Sequence, residues 1–341
     1  MHARICLAVA SVLLGCAVNL NPEPPPKTQS PGAAVLASCL PLQDSVAALE
    51  GRFGALALAD GTTLFTAENV ALDGRSAPTG FEGGDATACL SGAEPLAARP
   101  LIDVSALTPP LAPGTVARPL GGVTSDATYL YFAAEQGLAS GGIGVARFDA
   151  ERAGFVAVSM LWTADRPSYG SAALVSGEHV YVFGGLAARF LDADAYVARA
   201  PLASVTEPGA YEYWAGGGEY APNADEAVPL VAAGTAPSVT YDAVRGRFLL
   251  AYVTPLASEV SVRSGLGVTG PWSLPVTLGR CDLPAVDPGS FCGDVTLVPA
   301  VAPGADLALT QAVASFSRVT SAAPSDYWTR LLTAAWPSSL P

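Results

Sequence analysis

A turn followed by an aromatic-rich apolar strand recurs along this chain, and each copy is followed by a second strand ending in arginine. The first halves read Asp126-Ala127-Thr128-Tyr129-Leu130-Tyr131-Phe132, Gly177-Glu178-His179-Val180-Tyr181-Val182-Phe183 and Gly246-Arg247-Phe248-Leu249-Leu250-Ala251-Tyr252. The second halves close on Val145-Ala146-Arg147, Val197-Ala198-Arg199 and Ser261-Val262-Arg263, with Tyr327-Trp328-Thr329-Arg330 as a fourth. Successive arginines lie 52, 64 and 67 residues apart. A supersecondary unit of that length cannot bury its own apolar faces, so copies must stack on one another. Outer strands fit at Tyr211–Trp214 and around Trp272–Val276, giving four strands per unit, which is how a β-propeller blade is written. Blades are expected near residues 48–110, 118–160, 165–218, 234–280 and 291–337. The fold class is therefore all-β, a five-bladed β-propeller. A β-sandwich is the alternative, but it predicts no recurring strand-then-arginine unit. One arginine per blade suits pairing with a neighbouring carboxylate or carbonyl. The only helix expected is a short one near Gln43 to Glu50.

The first residues follow different rules. Met1-His2-Ala3-Arg4 is a cationic lead, and Ile5 to Leu14 is an apolar run about half as long as a membrane span, as in a secretory signal. Leu13-Leu14-Gly15-Cys16 resembles the bacterial lipoprotein signal, in which a peptidase cuts before a cysteine that carries a diacylglycerol. Residues 1–15 would be removed and Cys16 would hold the protein to the lipid bilayer, since several buried acyl chains anchor durably. Ala17 stands where an aspartate is commonly associated with inner-membrane retention, so an outer-membrane, extracytoplasmic address is expected. Residues 16–34, with five prolines from Pro22 to Pro31, read as an extended tether, and 35–341 as the propeller.

Composition then removes whole classes of function. A net charge of −13 argues against nucleic acid as a partner. Lys27 is the only lysine and His179 the only histidine beyond the signal, so Schiff-base chemistry and histidine-rich zinc sites are excluded. His179 itself reads as a half-exposed residue at the start of a strand. Four further cysteines in an exported chain suggest disulfides, and pairing Cys39 with Cys89 and Cys281 with Cys292 closes the shortest loops. No cofactor is implied. Asp192-Ala193-Asp194 could help to hold calcium, but no EF-hand spacing surrounds it. Gly121-Gly122, Gly141-Gly142 and Gly216-Gly217-Gly218 lack the context of a phosphate loop and read as turns.

Three segments in order, Tyr169-Gly170-Ser171-Ala172-Ala173-Leu174-Val175, Val180-Tyr181-Val182-Phe183-Gly184 and Asp194-Ala195-Tyr196-Val197-Ala198-Arg199, resemble a bacterial domain-of-unknown-function family. Gly270-Pro271-Trp272-Ser273 is similar to a phrase of the same family, and the resemblance spans about residues 120–300. It implies five-bladed propellers related to furanosidase-type glycosidases, which carry three acids on innermost strands around the channel mouth. Near the expected inner-strand starts only Asp165 and Asp294 are acidic, and Arg52 stands where the first blade would supply an acid. Two carboxylates can divide glycoside cleavage between proton donation and attack on the anomeric carbon. The leading expectation is a monomeric, surface-tethered propeller that binds a glycan or another extracellular polymer, with Arg118, Arg166 and Tyr169 as contacts. The alternative is a glycoside hydrolase using Asp165 and Asp294.

Overall fold

The computed structural model describes residues 47–57, 63–72, 75–83, 102–136, 139–152, 154–185, 194–234, 236–254, 258–281, 290–298, 307–315, 330–334 and 336–341. Cys16, Cys39 and Cys89 lie outside them. The strands fall into five antiparallel sheets taken in chain order. Blade 1 holds β1 (Ala47–Ala57), β2 (Thr63–Leu72) and β3 (Arg75–Gly83). Blade 2 holds β5 (Val116–Thr124), β6 (Thr128–Gln136), β7 (Ala139–Asp149) and β8 (Gly154–Trp162), with β4 (Ile102–Asp103) added in parallel to β8. Blade 3 runs through β9 (Ala172–Ser176), β10 (His179–Gly185), β11 (Asp194–Pro201), β12 (Glu212–Gly216) and β13 (Glu219–Ala221), and β14 (Val231–Ala232) also pairs with β11. Blade 4 comprises β15 (Ser238–Asp242), β16 (Arg247–Thr254), β17 (Glu259–Gly265) and β18 (Val276–Arg280). Blade 5 comprises β19 (Ser290–Val298), β20 (Leu307–Ser315) and β21 (Arg330–Ala334).

The first strand of each blade packs against its counterparts on both sides, in the order β1, β5, β9, β15, β19 and back to β1. That closed ring makes the molecule a five-bladed β-propeller. It also explains the continuous apolar runs of the middle strands, because each blade lies between two others and has no solvent face. In β10, Val180 and Val182 enter a core shared with Tyr129, Tyr131 and Val145 of blade 2. The alternate residues Tyr181 and Phe183 enter the core shared with Phe248 and Leu250 of blade 4. The strand period of two thus deals side chains to two inter-blade cores.

Hydrogen bonds lace the inner ring as well. The Gly121 amide donates to the Gly170 carbonyl at 2.6 Å, the Ser171 hydroxyl to the Pro237 carbonyl at 2.9 Å, and the Leu297 amide to Ser238 Oγ at 2.9 Å. Each bond crosses from one blade to the next. The expected Cys281–Cys292 disulfide joins the end of β18 to β19.

Several expectations need correction. Gly121-Gly122 is no turn but lies inside β5, where backbones crowd: a Cβ on Gly121 would sit 2.7 Å from the Gly170 oxygen. Gly141-Gly142 likewise lies at the start of β7, whereas Gly216-Gly217-Gly218 does turn between β12 and β13, all three at positive φ. Ala47–Glu50, assigned to a short helix, begins β1. Ile102–Asp103, placed in blade 1, joins the sheet of blade 2.

Candidate functional site at the inner-strand starts

Three of the inner strands, β1, β5 and β19, carry an irregularity at the same stage of the blade. Their register with the second strand shifts between Glu50 and Phe53, between Pro119 and Gly122, and between Cys292 and Val295. Two residues then oppose one, a bulge that bends the strand and redirects its side chains, and such bulges concentrate beside functional sites. The bulged pairs are Gly51-Arg52, Leu120-Gly121 and Gly293-Asp294. Arg52 and Asp294 therefore hold corresponding backbone positions on β1 and β19, adjacent in the ring.

Arg118 is the third residue of β5, and its Nε lies 2.5 Å from Glu135 Oε2 near the end of β6. Both side chains stay partly exposed, at 26% and 34%. Arg166 stands in the turn after β8 and pairs with Asp225, with Asp165 3.9 Å away. Asp225 belongs to the single helical turn Ala224–Glu226, whose Asn223 side chain caps the Asp225 amide at 3.0 Å. Asp165 is 74% exposed. The Thr163 hydroxyl bonded to it, then its own backbone, hold its carboxyl below the usual aspartate value.

Tyr169 does not reach this surface. Its ring is fully buried, 4.9 Å from that of Trp162 and 5.7 Å from that of Tyr213, and burial pushes its phenol well up. Its hydroxyl has no hydrogen-bond partner among the described residues. The segment is pinned flat by glycines: the Gly170 amide donates to the Phe183 carbonyl, and a Cβ on Gly184 would meet the Ser168 oxygen at 2.2 Å. Tyr169 is thus a core residue where a ligand contact was expected. The signal was legible, since Tyr169 continues the aromatic pattern of the blade 2 to blade 3 core.

The repeated arginines serve the blades. Arg199 bonds Glu212 at 2.8 Å and stacks 3.8 Å over the Tyr220 ring, and Arg263 donates to the Ser273 carbonyl at 2.7 Å. No group of three or more His, Cys, Asp or Glu that could hold a metal occurs among the described residues. The site gathers two arginine–carboxylate pairs and an exposed, ionised aspartate on the face where inner strands begin. The partners Glu135 and Asp225 were not foreseen, because one ends a middle strand and the other sits in the excursion between β13 and β14.

Residues 144–315 match the model of a family described as a domain of unknown function, DUF4185, over half of the chain. The chain belongs to the DUF4185 family. No curated protein sequence matches it. Among solved structures this DUF4185 member is similar to a hydrolase candidate from Bacteroides ovatus, at 13% identity and a TM-score of 0.60, over 87% of this chain and 88% of that one. It also aligns with a GH43_1 enzyme from Xanthomonas citri complexed with xylotriose, at 15% identity and a TM-score of 0.48, covering 90% and 98% of the two chains. An α-L-arabinofuranosidase from Lactobacillus brevis aligns at 13% and 0.49, covering 86% and 93%. At these identities the likeness is one of fold.

Proposed function

We propose that this DUF4185 protein is a lipid-anchored, extracytoplasmic propeller that binds a glycan at the face where its inner strands begin. One observation carries the reading. On that face Arg118 and Arg166 are each bonded to a carboxylate, and Asp165 beside Arg166 is held ionised. Guanidinium and carboxylate groups fixed in this way present donors and acceptors in set directions, which suits recognition of hydroxyl-rich ligands. They offer no proton to a leaving group. Anchoring through Cys16 and the proline-rich tether would hold this disc at a membrane surface, with the outer membrane as its address.

Hydrolysis is the second reading, favoured by the bulge that sets Asp294 on an inner strand. In it Asp294 protonates the leaving oxygen, and Asp165, ionised, attacks the anomeric carbon or activates water. Assaying the purified protein against cell-wall and plant-type polysaccharides, for binding by calorimetry and for released reducing sugar, separates the two. Binding without release, weakened by Arg118→Ala and Arg166→Ala, is the expected result. Release abolished by Asp294→Asn would establish the enzyme instead, and neither binding nor release would end both readings.

A further inference from the structure

A cleft of about 370 Å³ opens beside the charged pairs, over the ends of the blade 2 strands. That volume falls in the range of small-molecule sites, ~300–1,000 Å³. Its floor is apolar and buried, formed by Ala134, Leu161 and Trp162. Pro110, Leu111 and Met160 extend the apolar surface up the sides. The rim is polar, with Thr115, Gln136, Ser140 and Thr163, and none of the described residues that line the cleft is charged. Such a lining favours an uncharged ligand.

Rim and floor fit one chemistry. The Ser140 hydroxyl accepts from the Gly142 amide and keeps its proton to donate, while Gln136 spends one amide hydrogen on the Pro113 carbonyl and keeps its oxygen. Uncharged donors and acceptors above an apolar floor complement a ring with C–H faces and a hydroxyl edge. The nearest carboxylates already face arginines, Glu135 that of Arg118 and Asp165 that of Arg166, so neither ion pair is free to serve the cleft. A ring carboxylate would lose its hydration there with no counter-charge among the described lining residues. We infer that the blade 2 cleft is a binding site for one uncharged sugar ring of the glycan, and that it discriminates against uronic acids. The inference rests on the glycan-binding reading, extending that site from the charged mouth into the cleft.

Titration calorimetry of the full-length protein with xylotriose, cellotriose and trigalacturonate tests it. Ala139→Trp and Ala112→Trp each place an indole in the cleft from an exposed rim position, so the fold is spared, and unchanged thermal melting verifies that. Neutral trisaccharides should bind the wild type and lose about tenfold or more in affinity in both variants, a difference of about 1.4 kcal/mol. Trigalacturonate should bind more weakly than either neutral ligand. Neutral binding untouched by the indoles but lost in Arg118→Ala and Arg166→Ala would overturn the cleft and leave the mouth standing. Binding blocked by the indoles but indifferent to both arginines would support the cleft and overturn the mouth. Equal affinity for trigalacturonate would overturn the selectivity, and no binding of any saccharide would overturn both sites.

Discussion

Buried tyrosines of the blade 2 to blade 3 core divide by what their hydroxyls touch. Tyr131 and Tyr211 share a hydrogen bond at 3.0 Å, and Tyr211 donates onward to the Val205 carbonyl at 2.7 Å, whereas Tyr169 has no partner among the described residues. A buried polar group without a partner costs about 1–3 kcal/mol, so removing it carries no penalty. Tyr169→Phe should leave the urea midpoint unchanged or raise it, while Tyr131→Phe should cost about 1 kcal/mol. Acid sensitivity belongs to this scale too. Asp103 lies below its ordinary value of 3.8 because the Ser105 hydroxyl and amide bond to it, with Arg152 at 2.8 Å contributing. A folded value below the unfolded one contributes stability above pH 3.8 that is lost as the pH falls further, through the folded value. Wild type should therefore lose more stability between pH 5 and pH 3 than Asp103→Asn, as read by urea denaturation at each pH.

Strands of one blade were unequally legible. The middle strands β6, β10 and β16 declared themselves, because burial between two neighbouring blades demands an unbroken apolar run. The inner strands could be placed by their starts but not read through: β5 contains Pro119 and two glycines, residues that ordinarily mark turns. Close approach is the physical reason for the glycines, with the Gly170 backbone on one side and the Leu56 side chain on the other. Gly121→Ala should accordingly cost at least ~1–3 kcal/mol, since its Cβ would press on backbone that cannot swing aside. Ser238→Ala should cost a similar amount by orphaning the buried Leu297 amide of the next blade. Equilibrium urea unfolding checks both, and two wild-type midpoints would refute the laced ring. The site shows the same asymmetry. Arg118 and Arg166 could be found because strand starts can be read from turn residues, whereas Glu135, Asp225 and the cleft depend on which strand ends meet in space.

The junction of blades 4 and 5 is fastened by a shared core, a fold-back of the chain and a disulfide. Leu249, Ala251, Val260 and Val262 of blade 4 share one core with Val295, Leu297, Leu307 and Leu309 of blade 5, and Leu340 joins it. The Ser264 hydroxyl donates to the Pro341 carbonyl, and Arg245 lies 3.9 Å over the Trp336 ring, so the segment after β21 folds back on blade 4. The Cys281–Cys292 bond spans the same junction across 11 residues. In the loop-closure model a cross-link of that length contributes about 3 kcal/mol, by restricting the unfolded chain. Non-covalent fastenings hold the same two blades, so losing the bond should weaken the ring without opening it. The Cys281→Ala/Cys292→Ala double variant should melt at a lower temperature by a cooperative transition. The cleft and both arginine pairs lie on blades 2 and 3, so its affinity for neutral trisaccharides at 25 °C should match that of the wild type. Loss of affinity in a variant that still melts cooperatively would mean that strain at this junction reaches across the ring to the face that carries the arginine pairs.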